Sequence, residues 1–169
     1  NPALDWQDLE DLASECGIPV LVKGVFTAED AVLALEHGAS GVVVSNHGGR
    51  QLDCVGASAD VLPEVVEAVE GRGTVIVDGG IRRGTDVVVA LALGADAVLV
   101  GRPLLWGLAA GGEAGALRVL EMLGDELRLA LALCGCTSPA DLNRRHVERG
   151  PAGSVYSARM PEHFSASDG

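Results

Sequence analysis

Nine consecutive residues, Ser45-Asn46-His47-Gly48-Gly49-Arg50-Gln51-Leu52-Asp53, carry the densest chemistry in the chain. His47 can take or give a proton near neutral pH. Arg50, three residues on, has the planar fork that pairs with a carboxylate. Gly48 and Gly49 between them let the backbone turn tightly and let a ligand approach. A base beside a carboxylate clamp is equipment for acting on the carbon next to a carboxylate. The same residues also fit a structural loop with a solvated histidine and a salt-bridged arginine, and spacing alone does not choose.

Two further segments suit phosphate. Asp78-Gly79-Gly80-Ile81-Arg82-Arg83-Gly84-Thr85 and Gly101-Arg102 combine glycines, a helix start and arginine, the parts of a backbone N–H cradle for an anion. The alternative is a turn followed by a helix-entry arginine. Lys23 is the only lysine and stands beside Gly24. It reads as a point charge facing a ligand, or as a snorkelling lysine at a rim. His37 ends a helix, where a cation complements the dipole. Trp106 reads as packing, and His146 and His163 receive no role. Cys16, Cys54, Cys134 and Cys136 lack the C-x-x-C spacing of redox and zinc modules. They read as free thiols of a reducing compartment, with no metal site.

The elements that position these residues follow from hydrophobic pattern. Pro19 to Gly24, Gly41 to Asn46, Thr74 to Gly79 and Ala97 to Arg102 are continuous apolar runs ending in polar residues or glycine. Such runs predict strands buried on both faces, as in a parallel sheet. Helices are predicted between them. One carries Trp6, Leu9, Ala13 and Cys16 and ends at Gly17, and one starts at Thr27 and stops at Gly38. One has Pro63 in its first turn, and one opens at Thr85-Asp86 and ends at Gly94. The stretch from Asp30 to Val44 echoes that from Asp86 to Val100 at an offset of 56 residues, two βα units. Units of ~28 residues match the pitch of a (β/α)8 barrel, whose full length is ~250 residues and whose active site lies at the strand C-terminal ends. An apolar turn from Pro103 to Ala110 precedes a long helix, from about Glu113 to Leu133. Its apolar face carries Leu117, Leu120, Leu123, Leu127 and Leu131. Thr137-Ser138-Pro139 starts a last short helix to about Arg145. Residues 148–169 read as a disordered tail.

Composition bounds the function classes. The chain has 169 residues, 48% hydrophobic and 21% charged, which excludes a disordered chain. A net charge of −12 argues against a general nucleic-acid surface. No apolar run approaches the ~20 residues of a membrane span.

Together, Lys23-Gly24, the nine-residue histidine motif, the segment from Asp78 to Asp86 and Gly101-Arg102-Pro103 resemble the FMN-dependent α-hydroxy acid oxidase/dehydrogenase family, which includes glycolate, lactate and mandelate oxidising enzymes. The resemblance runs from about residue 4 to 147. It implies an α/β fold, a (β/α)8 TIM barrel of which residues 1–147 form the C-terminal four units. Consistent with that, the chain opens Asn1-Pro2 without Met. It implies oxidation of a small L-2-hydroxy acid to the 2-oxo acid. FMN takes the electrons and passes them to oxygen or another acceptor. His47 would be the base and Arg50 the carboxylate clamp. Lys23, Ser45, Asp78, Gly79, Gly80, Ile81, Arg82, Gly101 and Arg102 would hold the flavin, its ribityl chain and phosphate. Cys54 departs from the family's usual Gly, and Gly56 from its common Pro. The full-length protein is expected to be a homo-oligomer. A cytoplasmic location is expected, with the peroxisome as alternative, although the chain ends Ser167-Asp168-Gly169. Two other readings stay open: a non-catalytic half-barrel, and another FMN- or phosphate-binding barrel enzyme.

Overall fold

Helix starts follow the side chains that satisfy their free amides. Asp5 accepts hydrogen bonds from the amides of Gln7 and Asp8 and opens α1 (Trp6–Glu15). Thr27 Oγ1 accepts from the Asp30 amide at 3.1 Å and opens α2 (Ala28–Glu36). The computed structural model describes residues 3–150 and 156–158. The chain divides into two compact units, Asn1–Gly79 with Ala95–Leu99, and Gly80–Gly94 with Val100–Gly169.

The first unit holds one four-stranded sheet. Its strands are β1 (Leu21–Val25), β2 (Gly41–Val44), β3 (Thr74–Val77) and β4 (Ala97–Val98), parallel throughout and in chain order. Leu21 lies opposite Gly41, Gly41 opposite Thr74, and Ile76 opposite Ala97. The register of β1 on β2 slips between Lys23 and Val25, at Gly24. The core sets Val42, Val44, Val75 and Val77 with Ala31 and Ala34 of α2 and Leu62, Val65 and Val69 of α3 (Ser58–Val69). Only β2 is buried at every residue. The expectation of double-sided burial fails for β1, where exposed and half-buried residues alternate, and for β4. Both are the edges of this sheet and lack a neighbour on one side. Pro63 lies in the interior of α3, not in its first turn, because the helix begins at Ser58. His37 caps α2, stacks on Trp6 and faces Glu10 at 3.3 Å.

The second unit contains α4 (Gly84–Ala92) and α5 (Arg102–Leu133). The repeat is structural: α2 and α4 are both nine residues long, start 56 residues apart, and precede strands 56 residues apart. The expected apolar turn after Pro103 is helical. Pro103 occupies the first turn of α5, where its missing N–H costs nothing. The backbone leaves helical geometry only at Gly111 and Gly112. The predicted leucine stripe is also redistributed. Leu117 and Leu120 are exposed, and the covered line runs through Leu127, Ala130, Leu131 and Cys134, against Val88 of α4. Trp106 is 56% exposed and is not a core residue.

Ser138 caps the first of two short 3-10 turns, Pro139–Asp141 and Arg144–His146, that replace the last predicted helix. Within the expected tail, β5 (Val147–Arg149) pairs antiparallel with β6 (Tyr156–Ala158). The Tyr156 ring lies under the guanidinium groups of Arg144 and Arg149, at 5.8 and 5.5 Å. The rest of that tail, with His163, lies outside the described residues. All four cysteines are free, and burial raises the thiol pKa of Cys134 and Cys136. Cys136 Sγ sits 3.5 Å from His146 Nε2, so His146 is a packed residue rather than an idle one. Among the described residues no helix is long and apolar enough to cross a membrane, and no cluster could hold a metal ion.

Candidate active site

Three strand ends meet through side chains. Ser45 follows β2 and is 2% exposed. Its Oγ accepts from Lys23 Nζ at 2.7 Å and from the His47 amide at 3.0 Å. Lys23 comes from β1, opposite Val43 of β2. Its ammonium also donates to Asp78 Oδ2 at 2.6 Å. Asp78 follows β3, and its own amide donates to the Val44 carbonyl at 3.1 Å. The C-terminal ends of β1, β2 and β3 are thus tied together by one hydroxyl, one ammonium and one carboxylate. The second carboxylate oxygen, Asp78 Oδ1, is buried and has no hydrogen-bond partner among the described residues. An acceptor in that state needs a donor to offset its desolvation.

His47 stands in a short 3-10 turn, His47–Gly49. Its φ is +55°, followed by +68° at Gly48 and +71° at Gly49. Positive φ at a non-glycine residue stores about 1–3 kcal/mol and persists only where neighbours enforce it. Asn46 enforces it here. Its Oδ1 accepts from the Gly48 amide at 2.9 Å, its Nδ2 donates to the Gly56 carbonyl at 3.1 Å, and its carbonyl accepts from the Gly49 amide at 3.0 Å. The Asn46 amide donates to Ser58 Oγ at 3.3 Å. The imidazole then rests over Gly24 of β1.

Arg50 is exposed just beyond the turn, and among the described residues it belongs to no ion pair. The salt-bridged alternative for this arginine therefore has no support. Cys54 holds φ +65°, the left-handed region that glycine takes without strain.

The glycines of the second segment differ. A Cβ on Gly79, in the first unit, would stand 3.1 Å from Ser58 Oγ and 3.3 Å from Asn46 Oδ1. Gly79 thus packs behind the histidine turn. A Cβ on Gly80, in the second unit, would meet nothing within 4 Å. The start of α4 is already satisfied: Asp86 Oδ2 accepts from the Arg82 and Arg83 amides at 2.8 and 2.9 Å, and Glu126 Oε2 from Gly84 at 2.8 Å. The start of α5 is not. Gly101 provides no side-chain cap, its Cα faces open space, and Arg102 beside it is exposed. Arg82, Pro103 and Trp106 line one cavity of about 180 Å³ near this start, and Ile81 is buried.

Sequence reasoning missed Gly24, Asn46 and Ser58. Asn46 carried a usable signal, because Asn before two glycines favours an Asx turn. Gly24 and Ser58 carried none, since their roles depend on partners 23 and 12 residues away.

A family model described as FMN-dependent dehydrogenase matches residues 1–149. An L-lactate oxidase of Nostoc sp. is 56% identical over 143 residues, which cover 85% of this chain and 39% of that protein. A 2-hydroxyacid oxidase 1 of Mus musculus is 52% identical over 151 residues, covering 89% and 41%. Two solved mandelate oxidase structures superpose with a TM-score of 0.80. One, with a difluorinated hydroxy acid, is 49% identical and is matched over 82% of this chain and 42% of its own. The other, a variant carrying a monooxide FMN adduct, is 44% identical over 94% and 47%. The chain spans about two fifths of the length of these curated relatives. The solved neighbours are (β/α)8 barrels, and the parallel βα units of this chain are part of that fold. By the family model and these relatives, the chain belongs to the FMN-dependent dehydrogenase family.

Proposed function

We propose that the protein oxidises a small L-2-hydroxy acid to the 2-oxo acid with FMN as electron acceptor. One observation carries this: a histidine held at positive φ after a strand end, with an arginine three residues on that belongs to no ion pair among the described residues. Arg50 binds the substrate carboxylate through its guanidinium fork. A ring nitrogen of His47 takes one proton from the carbinol group, from Cα or from the hydroxyl, and the other hydrogen and the electron pair would leave to the flavin and solvent. Ser45 holds the His47 amide and the Lys23 ammonium at fixed spacing. Lys23 keeps a positive charge at the strand end where negative charge develops during oxidation.

The residues fit FMN. Asp78 Oδ1, buried without a partner among the described residues, would accept a hydrogen bond from the polyol part of the cofactor. Gly80, Arg82, Gly101 and Arg102 offer open backbone and cationic side chains to the phosphate. Ile81 and Gly79 shape that turn. FMN, when bound, supplies the two-electron acceptor, and oxygen or another oxidant takes the electrons onward.

The test is a visible spectrum of the purified chain with FMN, before and after anaerobic addition of L-lactate or glycolate. A perturbed flavin band that bleaches with substrate is expected. Free, unperturbed FMN would overturn the cofactor assignment. Bound flavin that never bleaches would overturn the oxidation reading.

A further inference from the structure

Gly24 of β1 lies directly beneath the His47 ring. A Cβ built on Gly24 would lie 2.7 Å from His47 Cε1, 3.5 Å from Nδ1 and 3.7 Å from Nε2. Real Cβ atoms do not approach a ring carbon that closely, so the exposed imidazole or the strand beneath it would have to shift. The φ of Gly24 is +101°, a conformation L side chains rarely adopt. It coincides with the slip of β1 on β2 between Lys23 and Val25. A slip of this kind re-aims the strand beside a functional site. The same bulge therefore does two things: it removes the side chain from under the imidazole, and it follows directly on Lys23.

We propose that Gly24 is a positioning residue, whose bare Cα in the β1 bulge forms the seat that fixes the imidazole of His47 for proton removal. This rests on the reading of His47 as the base. From the other side the ring is fixed only through its backbone, by Ser45 Oγ on the His47 amide and by the Asn46 turn. The seat supplies the contact on the ring. With a methyl group there, 2.7 Å from Cε1, the imidazole would have to move by about 1 Å to regain ordinary carbon contact.

Two experiments test the seat without relying on one variant. In the wild-type protein, a nuclear Overhauser effect is expected between the His47 Hε1 proton and the Gly24 Hα protons, and its absence overturns the proposal. With FMN bound, Gly24→Ala is expected to slow anaerobic flavin reduction roughly 10²-fold, the order that a ~1 Å misplacement costs. FMN affinity, read by flavin fluorescence, is expected to stay within about threefold, well under the 1.4 kcal/mol of a tenfold change. In a His47→Ala background the same substitution is expected to change the residual rate little, because no ring remains to displace. An equal slowing in both backgrounds overturns the proposal and assigns Gly24 a general structural role. A His47→Ala protein with wild-type rate overturns the base reading, and is told apart because the proton contact is read without turnover.

Discussion

Two glycine-bearing regions of this chain solve opposite problems. After β2, nearly every polar group is used internally: Ser45 binds Lys23 and His47, Asn46 binds Gly48 and Gly56, and the imidazole sits on Gly24. In the second unit, Gly80 and Gly101 face open space, and the Gly101-Arg102 start of α5 has no side-chain cap for its amides. Proton transfer needs a side chain held in one place. Phosphate binding needs free amides and a cation at a helix start. The two regions share a vocabulary of glycine and arginine, yet one is rigidly interlocked and the other open.

Substitutions can break this contrast. The largest effect is expected from His47→Ala, which should slow flavin reduction by ~10²–10⁴-fold, the usual contribution of a general base. Stopped-flow absorbance measures it. Lys23→Met should come next. It leaves the Asp78 carboxylate without its 2.6 Å partner, and hydrogen bonds to charged groups are worth ~1.5–3 kcal/mol. FMN affinity should fall about tenfold to a hundredfold by fluorescence titration. Arg102→Ala should weaken FMN binding about fivefold, the scale of an exposed charge contact, and leave riboflavin binding unchanged. Equal losses for FMN and riboflavin would remove the phosphate assignment. The smallest effect is expected from Cys54→Gly. Relieving φ +65° at an exposed cysteine should raise stability by up to ~1 kcal/mol in denaturant unfolding, with activity retained.

The strand ends were legible in the sequence because each apolar run stops at a polar residue or glycine, and β1 to β3 carry Lys23, Ser45 and Asp78 just there. The repeat was legible because α2 and α4 keep the same length and acidic third residue, Asp30 and Asp86. What joins the site was not. Lys23 and Asp78 are 55 residues apart, and nothing local marks them as a pair. The closure of the α4 start by Glu126, 42 residues on, was hidden for the same reason. In α5, periodicity marked Leu127 and Leu131, which are covered beside Val88 of α4, but could not say that Leu117 and Leu120 on the same stripe would stay exposed. The β5–β6 pairing is accompanied by an arginine–tyrosine stack that composition does not register.

The most direct test of the contrast is the rate of flavin reduction at saturating FMN, measured side by side in His47→Ala and Arg102→Ala. The account predicts a loss of ~10²-fold or more in the first and a near-wild-type rate in the second. An Arg102→Ala protein as slow as His47→Ala once FMN is saturating would contradict it, since the open region would then be acting on the chemistry and not only on binding.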